Sequence, residues 1–350
     1  MASVSASAWP WVPGWAPLFC SRAESMTLQL AVRSYAYSLS RPLQTAAGRW
    51  QRREGWLLRL SCAFSGRVGW GEVAPMDPEQ RCACERALSQ WTRSGDVECN
   101  RNQLEDLLPT LPAEVRFAFG AALAELDEVV QVWLPAPKSA CLLPAGAAVL
   151  PMLDQLLATH PVGEPVTVKW KVAAADAELE WSLLHQLLER LPSTARLRLD
   201  ANGGWERPEA ERWAGAVQGD PRLDWLEQPL AVSDLKGLKA LVQRVPVALD
   251  ESLLWQPDLR EHWSGWQVRR PLLEGDPRRL LRQLQEGRPQ LMLSTAFETG
   301  IGFRWLALMA GLQQQGPTPV APGLAPGWSP SGPLFSSDPA EVWAAAEVSC

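Results

Sequence analysis

The rhythm of apolar and polar positions changes near residue 140. Before it, Leu28, Leu30 and Val32 alternate with polar neighbours and, with the run from Tyr35 to Leu39, predict a strand. The polar stretch 41–54 reads as a loop that could close over a site. Further strands are predicted over 55–64 and 67–73, with Gly66 at the turn between them. Helical spacing follows over 78–93, 102–108 and 112–132, the last with Val115, Phe119, Leu123, Leu126 and Val130 on one stripe. Residues 26–135 are therefore expected to form a small α+β unit.

After it, short apolar runs predict strands over 141–143, 166–172, 196–200, 223–227, 245–250, 266–270, 290–294 and 318–321. Helices fit between them, over 147–160, 177–191, 208–218, 235–242, 277–286 and 302–315. Successive strand ends fall 20–29 residues apart, the length of one βα unit. Such alternation implies parallel strands with right-handed crossovers, and eight of them imply a closed α/β barrel over 136–321. The Pro-, Gly- and Ser-rich residues 322–350 are expected to run back over the first unit. Residues 1–25 carry Trp9, Trp11 and Trp15 among prolines, with no basic start of a signal peptide. They read as a disordered extension or a start placed too early.

Ionisable residues gather where the predicted strands end, the face on which barrels of this kind build active sites. In V-T-V-K-W-K-V, strand period two points Lys169 and Lys171 inward and Trp170 outward. The next three strands finish on Asp200, Glu227 and Asp250. Any one of these could be a helix N-cap, and a strand-end lysine is usually solvated. Regular recurrence on four consecutive strands argues for a site. Three converging carboxylates repel unless a hard cation neutralises them, and Mg²⁺ fits, with Mn²⁺ as a substitute. A metal so held can bind a substrate carboxylate and stabilise the enediolate left when the neighbouring carbon loses a proton. Lys171, crowded by Lys169 and the metal, is the expected base.

Composition narrows the partners. A net charge of −6 offers nucleic acid or an anionic membrane no general attraction, and no apolar run reaches the length of a membrane span. The seven cysteines are too scattered for a zinc site and read as reduced thiols, so a cytoplasmic protein is expected. Three scattered histidines leave carboxylates and lysines to carry the chemistry on a small-molecule carboxylate substrate; oligomeric state is not legible.

The order K-W-K, L-R-L-D-A-N, W-L-E-Q-P, L-D-E-S, V-R-R-P-L-L-E-G and L-S-T-A-F-E-T-G-I-G resembles the o-succinylbenzoate synthase family of the enolase superfamily, in the muconate-lactonising-enzyme-like subgroup. The resemblance spans 26 to about 335. It implies α/β architecture, a (β/α)7β modified TIM barrel with an α+β capping domain. It places magnesium ligands on Asp200, Glu227 and Asp250 and the acid/base lysine on Lys171. The implied reaction is dehydration of 2-succinyl-6-hydroxy-2,4-cyclohexadiene-1-carboxylate to o-succinylbenzoate, in menaquinone or phylloquinone biosynthesis. Lys171 would take the proton beside the ring carboxylate and return it to the departing hydroxyl on the same face. Arg198 matches a position that helps hold the succinyl carboxylate. Ser294, Thr295 and Glu298 match a substrate-contacting segment, and Asn202 would support Asp200 from behind.

The sequence departs from the family at Arg270, where a lysine is usual. Arginine is not deprotonated in a protein, so it cannot be a second base. That disfavours an N-acylamino acid racemase or dipeptide epimerase, which needs a base on each face. A syn dehydratase needs one base, and the opposite cation can act electrostatically or stack on the forming aromatic ring. A cycloisomerase or a non-catalytic paralogue remains open at this point.

Overall fold

The computed structural model describes residues 27–45, 48–91, 97–161 and 163–348; the expected extension over 1–25 lies outside them. Strands β1 (Thr27–Thr45), β2 (Gly48–Ser61), β3 (Val68–Val73) and β4 (Val97–Asn100) form an antiparallel sheet in the order β3-β2-β1-β4. The stretch 41–54 is largely strand, contrary to expectation. β1 and β2 stay paired from Gln29↔Ser61 out to Thr45↔Gly48, with one irregularity between Ser38 and Leu43. Antiparallel pairing satisfies the backbone and tolerates polar side chains on an open face, so polarity alone did not mark a loop.

Helices α1 (Pro78–Leu88), α2 (Arg101–Leu107) and α3 (Ala113–Leu126) complete this unit. α3 ends earlier than its stripe suggested. Glu128 turns left-handed at φ 54°, and the Val129 N–H donates back to the Ala124 carbonyl at 2.9 Å. This is a helix stop usually signalled by glycine, which is absent here.

α3 is buried on two faces. Val115, Phe119 and Leu123 pack on the sheet with Leu58 and Leu60, while Phe117, Ala121 and Ala124 pack against Leu280 and Trp305 of the second unit. Gly69 and Gly71 let the helix touch β3 directly. A Cβ on either would sit 1.9–2.0 Å from the carbonyl oxygens of Ala122 and Ala118.

The second sheet is parallel, with the described strands in chain order: β5 (Cys141–Leu143), β6 (Thr167–Lys171), β7 (Arg196–Asp200), β8 (Leu223–Glu227), β9 (Val247–Leu249), β10 (Trp266–Arg269) and β11 (Leu291–Leu293). Around it run α4 (Val149–Thr159), α5 (Ala177–Arg190), α6 (Arg207–Val217), α7 (Leu235–Leu241), α8 (Glu251–Trp255), α9 (Leu259–His262), α10 (Pro277–Gln285) and α11 (Gly300–Gln315). Trp170 faces the helices and packs against Trp213. Trp225, Ala248, Val268 and Met292 fill the barrel floor.

No eighth named strand occupies 318–321 among the described residues. The next few residues close the ring instead. Gly323 N–H donates to Leu293 (2.8 Å), Thr295 N–H to Gly323 (3.0 Å) and Ala140 N–H to Pro322 (2.9 Å). Pro322 has no N–H to give, so this edge is bonded at isolated points and not along a ladder. The chain then continues to α12 (Pro339–Val348), whose Val342, Trp343 and Ala346 pack with Ala31, Tyr35 and Leu57 of the antiparallel sheet.

Candidate active site

Parallel register builds the site. Lys171 pairs with Asp200 and Asp200 with Glu227, so three strand-end residues stand in one row across β6, β7 and β8. Two residues lower, Lys169, Arg198 and Trp225 make the next row. With a period of two, both rows face the barrel interior. Asp250 follows β9 and Arg270 follows β10, each at the same end.

A cavity of about 340 Å³ opens there. Lys169, Lys171, Arg198, Asp200, Asn202 and Asp250 line it, and so do Arg270, Ser294 and Thr295. Glu227 is reached through Lys169. The structure thus brings these candidates together at one mouth, with Glu298 left outside the lining. Met76, Asp77 and Gln80 from the antiparallel unit also line the cavity, as do Trp255 and Phe297. Nothing local in the sequence marked Met76, Asp77, Gln80 or Trp255, which come from the start of α1 and the end of α8; Phe297 lies inside the S-T-A-F-E-T segment.

Lys169 Nζ stands 2.8 Å from Asp200 Oδ2 and 2.5 Å from Glu227 Oε1. Burial alone would lower its pKa, but the Asp200, Glu227 and Asp250 charges outweigh it and hold the ammonium above the ordinary lysine value. Lys169 is therefore a cation in this arrangement. Lys171, half-buried at the end of β6, shares its inward direction.

Arg270 takes Asp250 at two points, and its Nη1 donates to the Thr295 carbonyl at 2.7 Å. Burial opposes the Asp250 charge; the pair wins on both sides. Asp250 is held below the usual carboxylate range and Arg270 above its own. Arg198 is fully buried, with Nε 2.9 Å from Asp224 Oδ2 and its guanidinium 4.2 Å above the Trp225 ring. Its Nη1 and Nη2 are buried and have no hydrogen-bond partner among the described residues.

Asn202 N–H donates to Asp200 Oδ1 (3.0 Å) and its Nδ2 to Glu251 Oε1 (3.0 Å). In L-D-E-S the strand-end pattern singles out Asp250 and gives no sign of its neighbour Glu251. Burial, then the charges of Asp250 and Asp200, push it up to about 7. Ser294 Oγ donates to the Gly323 carbonyl at 3.4 Å, and Thr295 Oγ1 to Glu298 at 3.0 Å. Glu298 itself is buried and is not among the described lining residues; it braces the loop from beneath, accepting also from Ala296 N–H at 2.8 Å.

Among the described residues, no three Asp, Glu, His or Cys side chains stand close enough to share an ion as placed. Asp200 and Glu227 turn onto Lys169, and Asp250 onto Arg270. The donor chemistry still fits a hard divalent cation, since Asp200, Glu227 and Asp250 offer only carboxylate oxygens, buried at adjacent strand ends beside a polar cavity. Among the described residues no helix is long and apolar enough to cross a membrane.

The family model for enolase C-terminal domain-like proteins matches residues 165–263. An o-succinylbenzoate synthase of Thermosynechococcus vestitus is 34% identical over 286 residues, covering 77% of this chain and 84% of that protein. The crystal structure of o-succinylbenzoate synthase from Thermosynechococcus elongatus, complexed with Mg in the active site, superposes with a TM-score of 0.73 at 30% identity, over 91% of this chain and 99% of that one. The L-Ala-D/L-Glu epimerase of Bacillus subtilis, at 19% identity, a TM-score of 0.63 and coverage of 86% and 90%, shares the fold.

Proposed function

The chain belongs to the o-succinylbenzoate synthase family of the enolase superfamily and is a lyase, and on that premise we propose that it dehydrates 2-succinyl-6-hydroxy-2,4-cyclohexadiene-1-carboxylate to o-succinylbenzoate with Mg²⁺, in menaquinone or phylloquinone synthesis. The observation that carries this reading is the asymmetry of the cavity mouth. A lysine, Lys171, stands on one side, and on the other stands Arg270, a guanidinium locked to Asp250.

Asp200, Glu227 and Asp250 would hold the ion; when bound, it neutralises the substrate carboxylate as negative charge grows there. Lys171 removes the proton from the ring carbon beside that carboxylate. It then gives the proton to the hydroxyl of the adjacent carbon, which leaves as water from the same face. One group acts as base and then as acid. Lys169 remains protonated and supplies fixed positive charge beneath the row. Arg270 keeps Asp250 oriented and supplies charge from the opposite side. Arg198, whose Nη1 and Nη2 have no hydrogen-bond partner among the described residues, suits the second carboxylate, that of the succinyl chain. Ser294 and Thr295 border the substrate, and Asn202 fixes Asp200 from behind.

A racemase or epimerase has no second proton carrier here, because arginine does not give up its proton. Purified protein with Mg²⁺ should convert the cyclohexadiene to o-succinylbenzoate, identified by NMR, and should leave N-acylamino acids and dipeptides unepimerised. Epimerisation at a rate matching dehydration would contradict the reading.

A further inference from the structure

Two charged residues of the antiparallel sheet bind the loop after β11 and the start of α11, and none of the roles above includes them. Arg53 on β2 is almost fully buried. Its Nη2 donates to the carbonyls of Ala74 (3.1 Å) and Ala296 (2.9 Å), Nη1 to that of Pro75, and Nε to that of Phe297 (3.4 Å). One guanidinium thus ties the end of β3 to the loop after β11. The Phe297 carbonyl also accepts from Tyr37 O–H, next to Arg53 on the paired strand.

Glu72 on β3 is fully buried too, and its partners lie at the start of α11. It accepts from Thr299 N–H (2.9 Å), Thr299 O–H (2.7 Å), Gly302 N–H (2.8 Å) and Tyr35 O–H (2.6 Å). A carboxylate there complements the N–H groups and positive end of a sixteen-residue helix. Gly302 permits the approach, since a Cβ would lie 2.8 Å from Glu72 Oε2. This accounts for the second glycine of E-T-G-I-G; the first, Gly300, makes room instead for the Ser336 carbonyl.

Between these anchors lies a loop that needs holding. Phe297 is left-handed at φ 58°, a costly conformation for a bulky residue, and it lines the cavity. Two residues earlier, Thr295 lines the cavity and offers its carbonyl to Arg270. The anchors act mainly on backbone atoms, with the Thr299 hydroxyl the one side chain of the segment they hold, so they set the path of the loop.

We infer that Arg53 and Glu72 are positioning residues for the substrate pocket: from the antiparallel sheet they fix the backbone of 295–302, and through it Thr295, Phe297 and Arg270. Their effect belongs to binding more than to proton transfer, because Lys171 lies on β6, across the barrel. The catalytic half of the test rests on the dehydratase reading; the structural half does not.

The experiment is hydrogen exchange on the full chain, wild type against Arg53→Lys and Glu72→Gln, together with KM and kcat for the dehydration. Lysine keeps the charge but cannot span both sets of carbonyls. The expected result is exchange over 294–302 faster by about tenfold or more while 177–190 is unchanged, with KM raised about tenfold and kcat within about threefold. Arg53→Met should exceed Arg53→Lys in both readouts. Exchange unchanged over 294–302, or raised evenly along the chain, overturns the inference, as does a fall in kcat at constant KM. Should wild type not dehydrate the cyclohexadiene, the functional reading fails while exchange still decides the inference.

Discussion

Arg270 meets Asp250 in a two-point ion pair, Nε to Oδ1 at 2.9 Å and Nη2 to Oδ2 at 2.5 Å, at the mouth of the barrel. The planar fork matches a carboxylate geometrically as well as electrically. It makes Arg270 an anchor for an expected metal ligand and fixes its charge on the side where a second base would otherwise stand.

Arg270→Lys should preserve dehydration to within about tenfold, since the charge stays while one of the two contacts is lost. Arg270→Met should cost more, on the order of 2–4 kcal/mol in kcat/KM, the usual loss of one preorganised charge. Steady-state kinetics of the two variants check this. In wild type, solvent deuterium should enter recovered substrate only on the face served by Lys171. Equal losses in both variants would remove the electrostatic role.

Chelation should stop turnover without unfolding the protein. Lys169 and Arg270 already neutralise Asp200, Glu227 and Asp250 in part, so folding does not wait for the ion. EDTA should abolish activity, and Mg²⁺ or Mn²⁺ should restore it. At a hundredfold excess over its dissociation constant the ion adds about 2.7 kcal/mol of stability. Activity that survives exhaustive chelation would overturn the three-carboxylate assignment.

Stability should fall as pH rises through neutrality. Burial, then the nearby Glu72 charge, push Glu298 up from 4.5 to about 7. The folded state therefore holds this proton more tightly than the unfolded chain does. The contribution is complete below the unfolded value and is lost as pH passes 7, amounting to roughly 3 kcal/mol. Glu298→Gln should remove most of that amount, about 2.5 kcal/mol, from the difference in stability between pH 5 and pH 8, measured by denaturant melts. A variant with the wild-type slope would contradict the burial argument.

Much of the site was legible because parallel strands carry their chemistry at fixed ends with period two. K-W-K, Asp200, Glu227 and Asp250 could be placed in one mouth without coordinates. The structure adds the pairing, Lys169 with Asp200 and Glu227, and Arg270 with Asp250. Residues supplied by distant turns could not be read. Met76, Asp77 and Gln80 reach the cavity through packing between units, and Arg53 acts on carbonyls 243–244 residues away. The misread elements share one cause, a local signal outweighed by context. The stretch 41–54 is polar yet paired, α3 stops at a left-handed glutamate, and the ring closes at 322–323 through three backbone bonds instead of a strand.

The most direct measurement is the initial rate of cyclohexadiene loss, followed spectrophotometrically with Mg²⁺, for wild type and Lys171→Ala side by side. Lys171 is half-buried at a strand end, so the variant should fold and bind metal as wild type does. Wild type is predicted to form o-succinylbenzoate, and Lys171→Ala to lose about 10²–10⁴-fold, the usual cost of removing a general base. A variant retaining more than about a tenth of the rate, or wild type showing no dehydration above the spontaneous background, would contradict the account.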